Sequence, residues 1–423
     1  MKKSFFMLAL LSGLFVVSCI KDSHPGPYPG YFSNQVVLEW NEIAYQAFGG
    51  EAYRHSVMAS RINAMAQLAM HDVLNAIEPV YSSYAFTGHD ANAHPVAAVA
   101  SAAHTVLVHE IPDATHFLDS ALQLTLTAIA DGEAKNRGIV LGKEVGQAII
   151  DIRGNDGSAG NPFSQLPPST VPGVYQIVPP FDFIYAPFWT DVKPFGLQSN
   201  DQFRVAPHPE LGSHEYVAAF NEVKETGRLT SNSRTDDQTA TAHFWYEFSE
   251  AGWNRVARTA AKNKKLGLWE TARLFALVDM AIADAYIAGW ESKHFYNLWR
   301  PYTAIRNAAS DTNDQTIGDQ LWEPLMPTPP VQDYPSTHSA LGNAAATVMA
   351  AILGEETSFS MRSPTALPGS NPRNFDGFKQ AANENADSRV RAGIHFRFAC
   401  DAGLELGDKV GRWMVDHYLK PLE

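Results

Sequence analysis

The chain has 423 residues, 45% of them hydrophobic, 11% aromatic and 18% charged, which is too apolar for a disordered chain and too interrupted by polar residues for a polytopic membrane protein. Its 32 Lys and Arg against 45 Asp and Glu leave a formal net charge of −13. An acidic surface repels nucleic acid and anionic headgroups, so no nucleic acid partner is expected, and cations that do cluster should be held inside for a small anion.

Residues 1–18 read as a signal peptide: Lys2 and Lys3, an apolar run from Phe5 to Val17, then Ser18 before Cys19. The apolar run is too short to remain as a bilayer-spanning helix. Val16-Val17-Ser18-Cys19 resembles a bacterial lipoprotein processing box, which makes Cys19 the acylated first residue and residues 19–35 a lipidated N-terminus and linker. The expected location is outside the cytoplasm, on a bacterial membrane facing the periplasm or cell surface, with membrane contact through the lipid anchor only. Removal of residues 1–18 leaves Cys400 as the remaining thiol, so no intrachain disulfide is expected.

Residues 36–423 read as a single all-α domain of helical bundles, two four-helix bundles packed together, with long ordered loops. Helical spacing runs from Ser56 to Ile77 and stops at Pro79, then from Val96 to Val108, Thr115 to Ile129 and Asn136 to Ile152. The last of these carries Gly138, Gly142 and Gly146 at i, i+4 and i+8, a flat face for close packing. From Asp156 to Pro209 the chain is rich in Pro, Gly and aromatic residues without a helical period, as in a loop wrapped over helices. Helical pattern returns at Tyr216–Val223, Thr239–Phe248, Trp253–Lys262, Thr271–Trp290, Ser339–Leu353 and Cys400–His417.

Nucleotide-binding GxGxxG and GxxxxGK[ST] patterns, paired CxxC, HExxH and the GxSxG elbow do not occur, which removes support for nucleotide-dependent transfer, standard zinc hydrolysis and α/β-hydrolase chemistry. What remains is a constellation concentrated in residues 284–417. Lys293 and Arg300 are separated by about 700° of an ideal helix and so share a face about 10 Å apart along its axis. Pro335-Ser336-Thr337-His338 heads an Ala-rich helix, and a proline at a first helical position leaves N–H groups aimed at an anion. Ser388-Arg389 precedes His395, with Gly393 expected to mark an irregular stretch that lets both reach one point. Three cations, a hydroxyl donor and two imidazoles fit a tetrahedral oxyanion.

The pattern KxxxxxxRP, PSxH and SRxxxxxH resembles that of the type 2 phosphatidic acid phosphatase-related superfamily, and within it the bacterial vanadium-dependent haloperoxidases. Trp290, the stretch Trp299 to Arg306, the segment Arg153 to Gly157 and the helix around Arg61 to Asn75 carry the narrower likeness. The resemblance implies an enzyme in which vanadate is bound by Lys293, Arg300, Ser336, Thr337, Arg389 and His395, with His395 as the metal ligand. Phosphate can occupy the same site. His338 and Lys293 then assist hydrogen peroxide activation beside His395, a halide is oxidised to hypohalous acid and small organic acceptors take the halogen. Oxidation becomes harder from iodide to bromide to chloride, and neither Thr337 nor Val331 adds a donor that would strengthen peroxide activation, so iodide is expected to be used most readily and then bromide. The alternative it implies is a soluble acid phosphatase working through a phosphohistidine. Three departures bear on this. Thr337 stands where the family has glycine and would be strained if that position needs a positive φ; Ala399 stands where an aspartate often follows the ligand histidine, with Asp401 two residues on; and Val331 stands at a flanking position that bears on halide choice. Glu291, beside Trp290, is read as either a partner of a site cation or unrelated to it. Oligomeric state is left open.

Overall fold

The computed structural model describes residues 32–49 and 56–422. The signal peptide, Cys19 and most of the linker lie outside the described residues. Among those described there are thirteen α-helices: α1 (Gln35–Ala47), α2 (Ser56–Ile77), α3 (Pro95–Glu110), α4 (Thr115–Thr127), α5 (Glu133–Arg153), α6 (His214–Thr226), α7 (Asp236–Phe244), α8 (Ser249–Lys264), α9 (Leu268–Tyr296), α10 (Pro301–Arg306), α11 (Thr337–Leu353), α12 (Phe378–Arg391) and α13 (Arg397–His417). Strands are confined to two short antiparallel pairs, β1 (Phe163–Ser164) with β2 (Ile184–Tyr185) and β3 (Phe359–Met361) with β4 (Arg373–Phe375). No described helix is long and apolar enough to cross a membrane.

The helices α2 and α9 are buried on nearly every face, and a helix surrounded on all sides needs apolar or internally bonded residues all round. α2, α3 and α5 pack on one another with α1 and α4 at their edge. α9, α11 and α13 form a second group with α8 and α12, and α2 lies against α9 so that one apolar core runs through both. The polar residues that α2 buries tie the loops down. Arg61 donates to Asp156 at 2.7 Å, Glu110 at 2.6 Å and the Arg153 carbonyl at 3.0 Å, while Asp72 accepts the backbone N–H groups of Tyr84, Ala85 and Phe86 at 2.7–3.0 Å. The two early segments singled out in the sequence thus meet each other and serve the fold.

Close packing of the helices depends on glycine in both groups. A Cβ at Gly142 would stand 2.5 Å from the Ala98 carbonyl oxygen, as expected of the Gly138-Gly142-Gly146 row. A second row with the same spacing, Gly403-Gly407-Gly411 on α13, takes the backbone of α11: a Cβ at Gly403 would run into the Ser336 carbonyl. Backbone contact without intervening side chains therefore fixes the start of α11, where Ser336, Thr337 and His338 stand.

Three helices escape the sequence pattern: α1, α10 and α12. In α12 the buried residues between Phe378 and Val390 are Ala381, Ala382, Asn385, Ala386, Ser388 and Arg389, small or polar, so its inward face carries too little apolar bulk to show a period. α7 is shorter than the pattern suggests and stops at Phe244 instead of Phe248. The residues after it, read as a last helical turn, are irregular, and the carbonyls of Trp245 and Glu247 turn toward side chains outside the helix.

Candidate active site

The three motif segments converge because α11 lies between α9 and α13 and also packs on α12. Lys293 is in the last turn of α9, which ends at Asn297 in the left-handed conformation at φ 48°. The two cations are therefore not on one helix, as the spacing had suggested. Arg300 lies beyond that turn in extended backbone, capping α10, and Pro301 takes the first helical position. At α11 the capping residue is Ser336, with Pro335 outside the helix; its Oγ accepts from the Ser339 N–H at 3.4 Å and the Ser339 hydroxyl at 3.1 Å, which leaves its own O–H as a donor. α12 ends two residues after Arg389, and Gly393, at φ 80° and pressed against the Gly227 carbonyl, turns the chain so that His395 reaches the same point.

Four side chains of this set face a cavity of about 820 Å³: Arg300, His338, Arg389 and His395, with Thr337 beside them. Lys293 and Ser336 stand one layer behind it. Arg300 is 1% exposed and is held by the Val331 carbonyl at 2.6 Å from Nε and the Ile394 carbonyl at 2.7 Å from Nη1. Lys293, fully buried, donates to the carbonyls of Gln332 at 2.7 Å and Asp333 at 3.0 Å. Arg389 donates from Nη1 to the Trp245 carbonyl at 2.8 Å, and its Nε is buried with no partner. His338 Nε2 lies 3.1 Å from the Glu247 carbonyl. The shortened end of α7 thus supplies acceptors for two site residues.

His395 Nδ1 is 2.9 Å from Asp333 Oδ1, and Arg300 Nη1 is 3.7 Å from the same oxygen. The Asp333 contact is one of charge, without hydrogen-bond geometry, and it is Arg300 Nη1, a donor 3.0 Å from Nε2, that places the ring proton on Nδ1 and marks the Nε2 lone pair as the coordinating one. Asp333 is the partner that sequence reasoning missed. Its signal was a carboxylate two residues before Pro335 in an otherwise uncharged stretch, Val331 to His338. Asp401 is on the exposed face of α13 and does not reach His395. Glu291 is also outside the site, paired with Arg204 of the long loop at 2.9 Å. Trp290 and Val331 do line the cavity.

Burial, then the neighbouring cations, holds the His395 imidazole well below its ordinary value. Burial and then Arg389 do the same for His338. Burial pushes Lys293 well down, helped by Arg300, and brings Arg389 to about 10. It raises Asp333 to about 7, against the pull of Arg300 and Lys293. Cations crowded in a dry place with one carboxylate form a site that wants an anion. Among the described residues no group of three or more His, Cys, Asp or Glu could hold a bare metal cation.

Thr337 brings no backbone strain. It is the first residue of α11, is not among the positive-φ positions, and places its methyl 2.7 Å from where a Cβ on Gly289 would be. Gly289 on α9 gives the space that the larger side chain needs.

Comparison with known proteins bears on the whole of this arrangement. Residues 273–423 match the family model of the VCPO second helical-bundle domain. The crystal structure of the first bacterial vanadium-dependent iodoperoxidase superposes with a TM-score of 0.80 at 25% identity, over 94% of this chain and 100% of that one. This chain is similar to the vanadium-dependent haloperoxidases. The vanadium chloroperoxidase of Curvularia inaequalis is 28% identical over 297 residues, 54% of this chain and 48% of that protein, so the chain spans about half the length of this curated relative. A holo-type bacterial vanadium-dependent chloroperoxidase, at 16% identity and a TM-score of 0.68 over 92% of this chain and 93% of that one, has the same helical fold. Like those haloperoxidases the chain is all-α, and its motif segments fall within the matched second bundle.

Proposed function

We propose that the chain is a vanadate-dependent haloperoxidase that oxidises halide, iodide in preference, with hydrogen peroxide to hypohalous acid. The observation that carries this reading is the cationic cradle with an orphan donor. A buried guanidinium N–H without an acceptor is costly; two arginine Nε groups are in that state among the described residues, Arg153 and Arg389, and Arg389, which lines the cavity, becomes satisfied if an oxyanion is present between Arg389, Arg300 and the two histidines. The donors fit vanadate: Arg300 and Arg389 would hold its oxygens from the cavity wall, with Lys293 and Ser336 behind them as further donors, the Thr337 N–H faces the same end of α11, and His395 Nε2 would ligate the metal. Bound vanadate supplies an electrophilic centre that activates peroxide for transfer of an oxygen to halide.

The chain's own groups do the rest. His338, neutral and with Nε2 on the Glu247 carbonyl, presents Nδ1 as a base able to take a proton from incoming peroxide. Asp333 orients His395, and Arg300 fixes its tautomer. Lys293, held to two backbone carbonyls, keeps one of its three N–H donors for the cradle. Thr337 is relaxed, so backbone strain at that position gives no ground for a halide preference. What supports iodide is that it is the easiest of the halides to oxidise and that Val331 offers no side-chain donor at the flank. The iodoperoxidase comparison points the same way. Export and lipid attachment through Cys19 belong to the same proposal.

The direct test is iodide oxidation by vanadate-free protein in peroxide before and after adding orthovanadate. Activity that appears only with vanadate is the expected result; activity indifferent to vanadate overturns the assignment. Asp333→Asn should weaken vanadate binding by about 10- to 100-fold through loss of His395 orientation, measured by equilibrium dialysis. Cys19→Ser should move the protein from the membrane to the soluble fraction with its activity intact, and a variant that stays wholly in the membrane sinks the anchor.

A further inference from the structure

The cavity in front of the cradle is far larger than its expected small reactants require. At about 820 Å³ it falls in the size range of pockets that enclose organic ligands, and its lining above the charged floor is mostly apolar. One wall is a run of rings in edge-to-face contact. It begins at the half-exposed Phe163, passes to Phe183 at 4.8 Å between centroids and on to Phe181 at 5.5 Å. Deeper in, Tyr185 meets Trp290 at 6.3 Å. This wall is anchored: β1 pairs with β2, the Tyr185 N–H donates to the Pro330 carbonyl at 2.8 Å, and the Ala186 N–H donates to the Pro162 carbonyl at 2.7 Å. Peroxide is small and polar and a halide carries a full charge, so neither needs an aromatic enclosure of this size.

We propose that this chamber binds the organic acceptor, a neutral, electron-rich aromatic molecule of the phenol, naphthol or indole kind, and that it is halogenated there. The proposal rests on the haloperoxidase reading. Peroxide and iodide supply hypoiodous acid and water, with one proton consumed. A ring carbon of the acceptor then attacks iodine, the O–I bond breaks, and the ring loses the proton that converts the departing hydroxide to water. The walls offer flat faces for stacking, and exclusion of water lets the ring carbon compete with it for the halogen. The chamber also contains a built-in reporter. Tyr246 lines it, its ring 5.6 Å from the Arg389 guanidinium, so when no acceptor is bound a tyrosine ring of the same chemistry stands beside the source of halogen.

The test is calorimetric titration of the full chain with 2-naphthol, with and without vanadate but without iodide or peroxide. Saturable 1:1 binding is expected, weakened about tenfold in Phe183→Ala and in Phe181→Ala while vanadate affinity is retained as evidence of an intact fold. After turnover with iodide and peroxide, mass spectrometry should find iodine on the Tyr246 peptide, and saturating 2-naphthol should suppress it. Absence of saturable binding, wild-type affinity in both variants, or iodination of Tyr246 unaffected by naphthol overturns the proposal. Because binding is read without halide or peroxide, its failure leaves the haloperoxidase reading standing. Naphthol binding in a protein with no vanadate-dependent oxidation overturns that reading instead.

Discussion

His395→Ala is expected to lose ordered vanadate and iodide oxidation together. Arg300, Arg389 and Lys293 attract any oxyanion, but their attachments are to carbonyls of Val331, Ile394, Trp245, Gln332 and Asp333, and charge attraction alone does not fix a coordination geometry. The imidazole supplies the directional bond, and Asp333 at 2.9 Å holds its ring in place. Removing the ring also leaves Asp333 beside Arg300 with its nearest polar neighbour gone, so a thermal melt should accompany the assay. Equilibrium dialysis against orthovanadate and the 51V spectrum of the loaded protein are the measurements. Tight, ordered vanadate in the variant sinks the ligand assignment.

The second large effect is expected at His338. His338→Ala should retain vanadate yet lose about 10² to 10⁴ in turnover, the usual contribution of a positioned proton-transfer group. The prediction is specific because His338 is held in place from both sides: its ring meets the Glu247 carbonyl at 3.1 Å, and its own carbonyl accepts from Asn385 Nδ2 at 3.0 Å. The alanine variant leaves the second contact intact. Steady-state rates at saturating peroxide, with vanadate occupancy measured on the same samples, separate chemistry from binding. Full turnover removes His338 from the mechanism.

The helices and the chemistry-bearing side chains were readable from the sequence to different depths. Ser56–Ile77 was legible to the residue because its apolar content is high and Pro79 follows it. The Gly138-Gly142-Gly146 face was legible because close helix contact leaves glycines at fixed spacing. Lys293, Arg300, Ser336, Arg389 and both histidines were found as a set from ordered motifs, yet the geometry attached to them was partly wrong. A seven-residue spacing implied one continuous helix, whereas a left-handed Asn297 ends α9 between the two cations. Asp333 and the Trp245 to Glu247 carbonyls were not legible. A backbone acceptor carries no side-chain signature, and the choice between Asp333 and Asp401 as partner for His395 depends on how α11 and α13 pack, which no local pattern encodes.

The crowding of like charges at the floor of the cavity sets a stability debt that an anion discharges. Three cationic side chains share a dry volume with a single carboxylate, and burial already lowers Lys293 and Arg389 from their usual affinity for protons. Any tetrahedral oxyanion that binds the folded chain alone adds RT ln(1 + [L]/Kd), about 2.7 kcal/mol at a hundred times Kd. Phosphate, tetrahedral and anionic, would draw on the same donors, so the expected result of adding phosphate to the vanadate-free protein is a higher melting temperature and weaker vanadate binding.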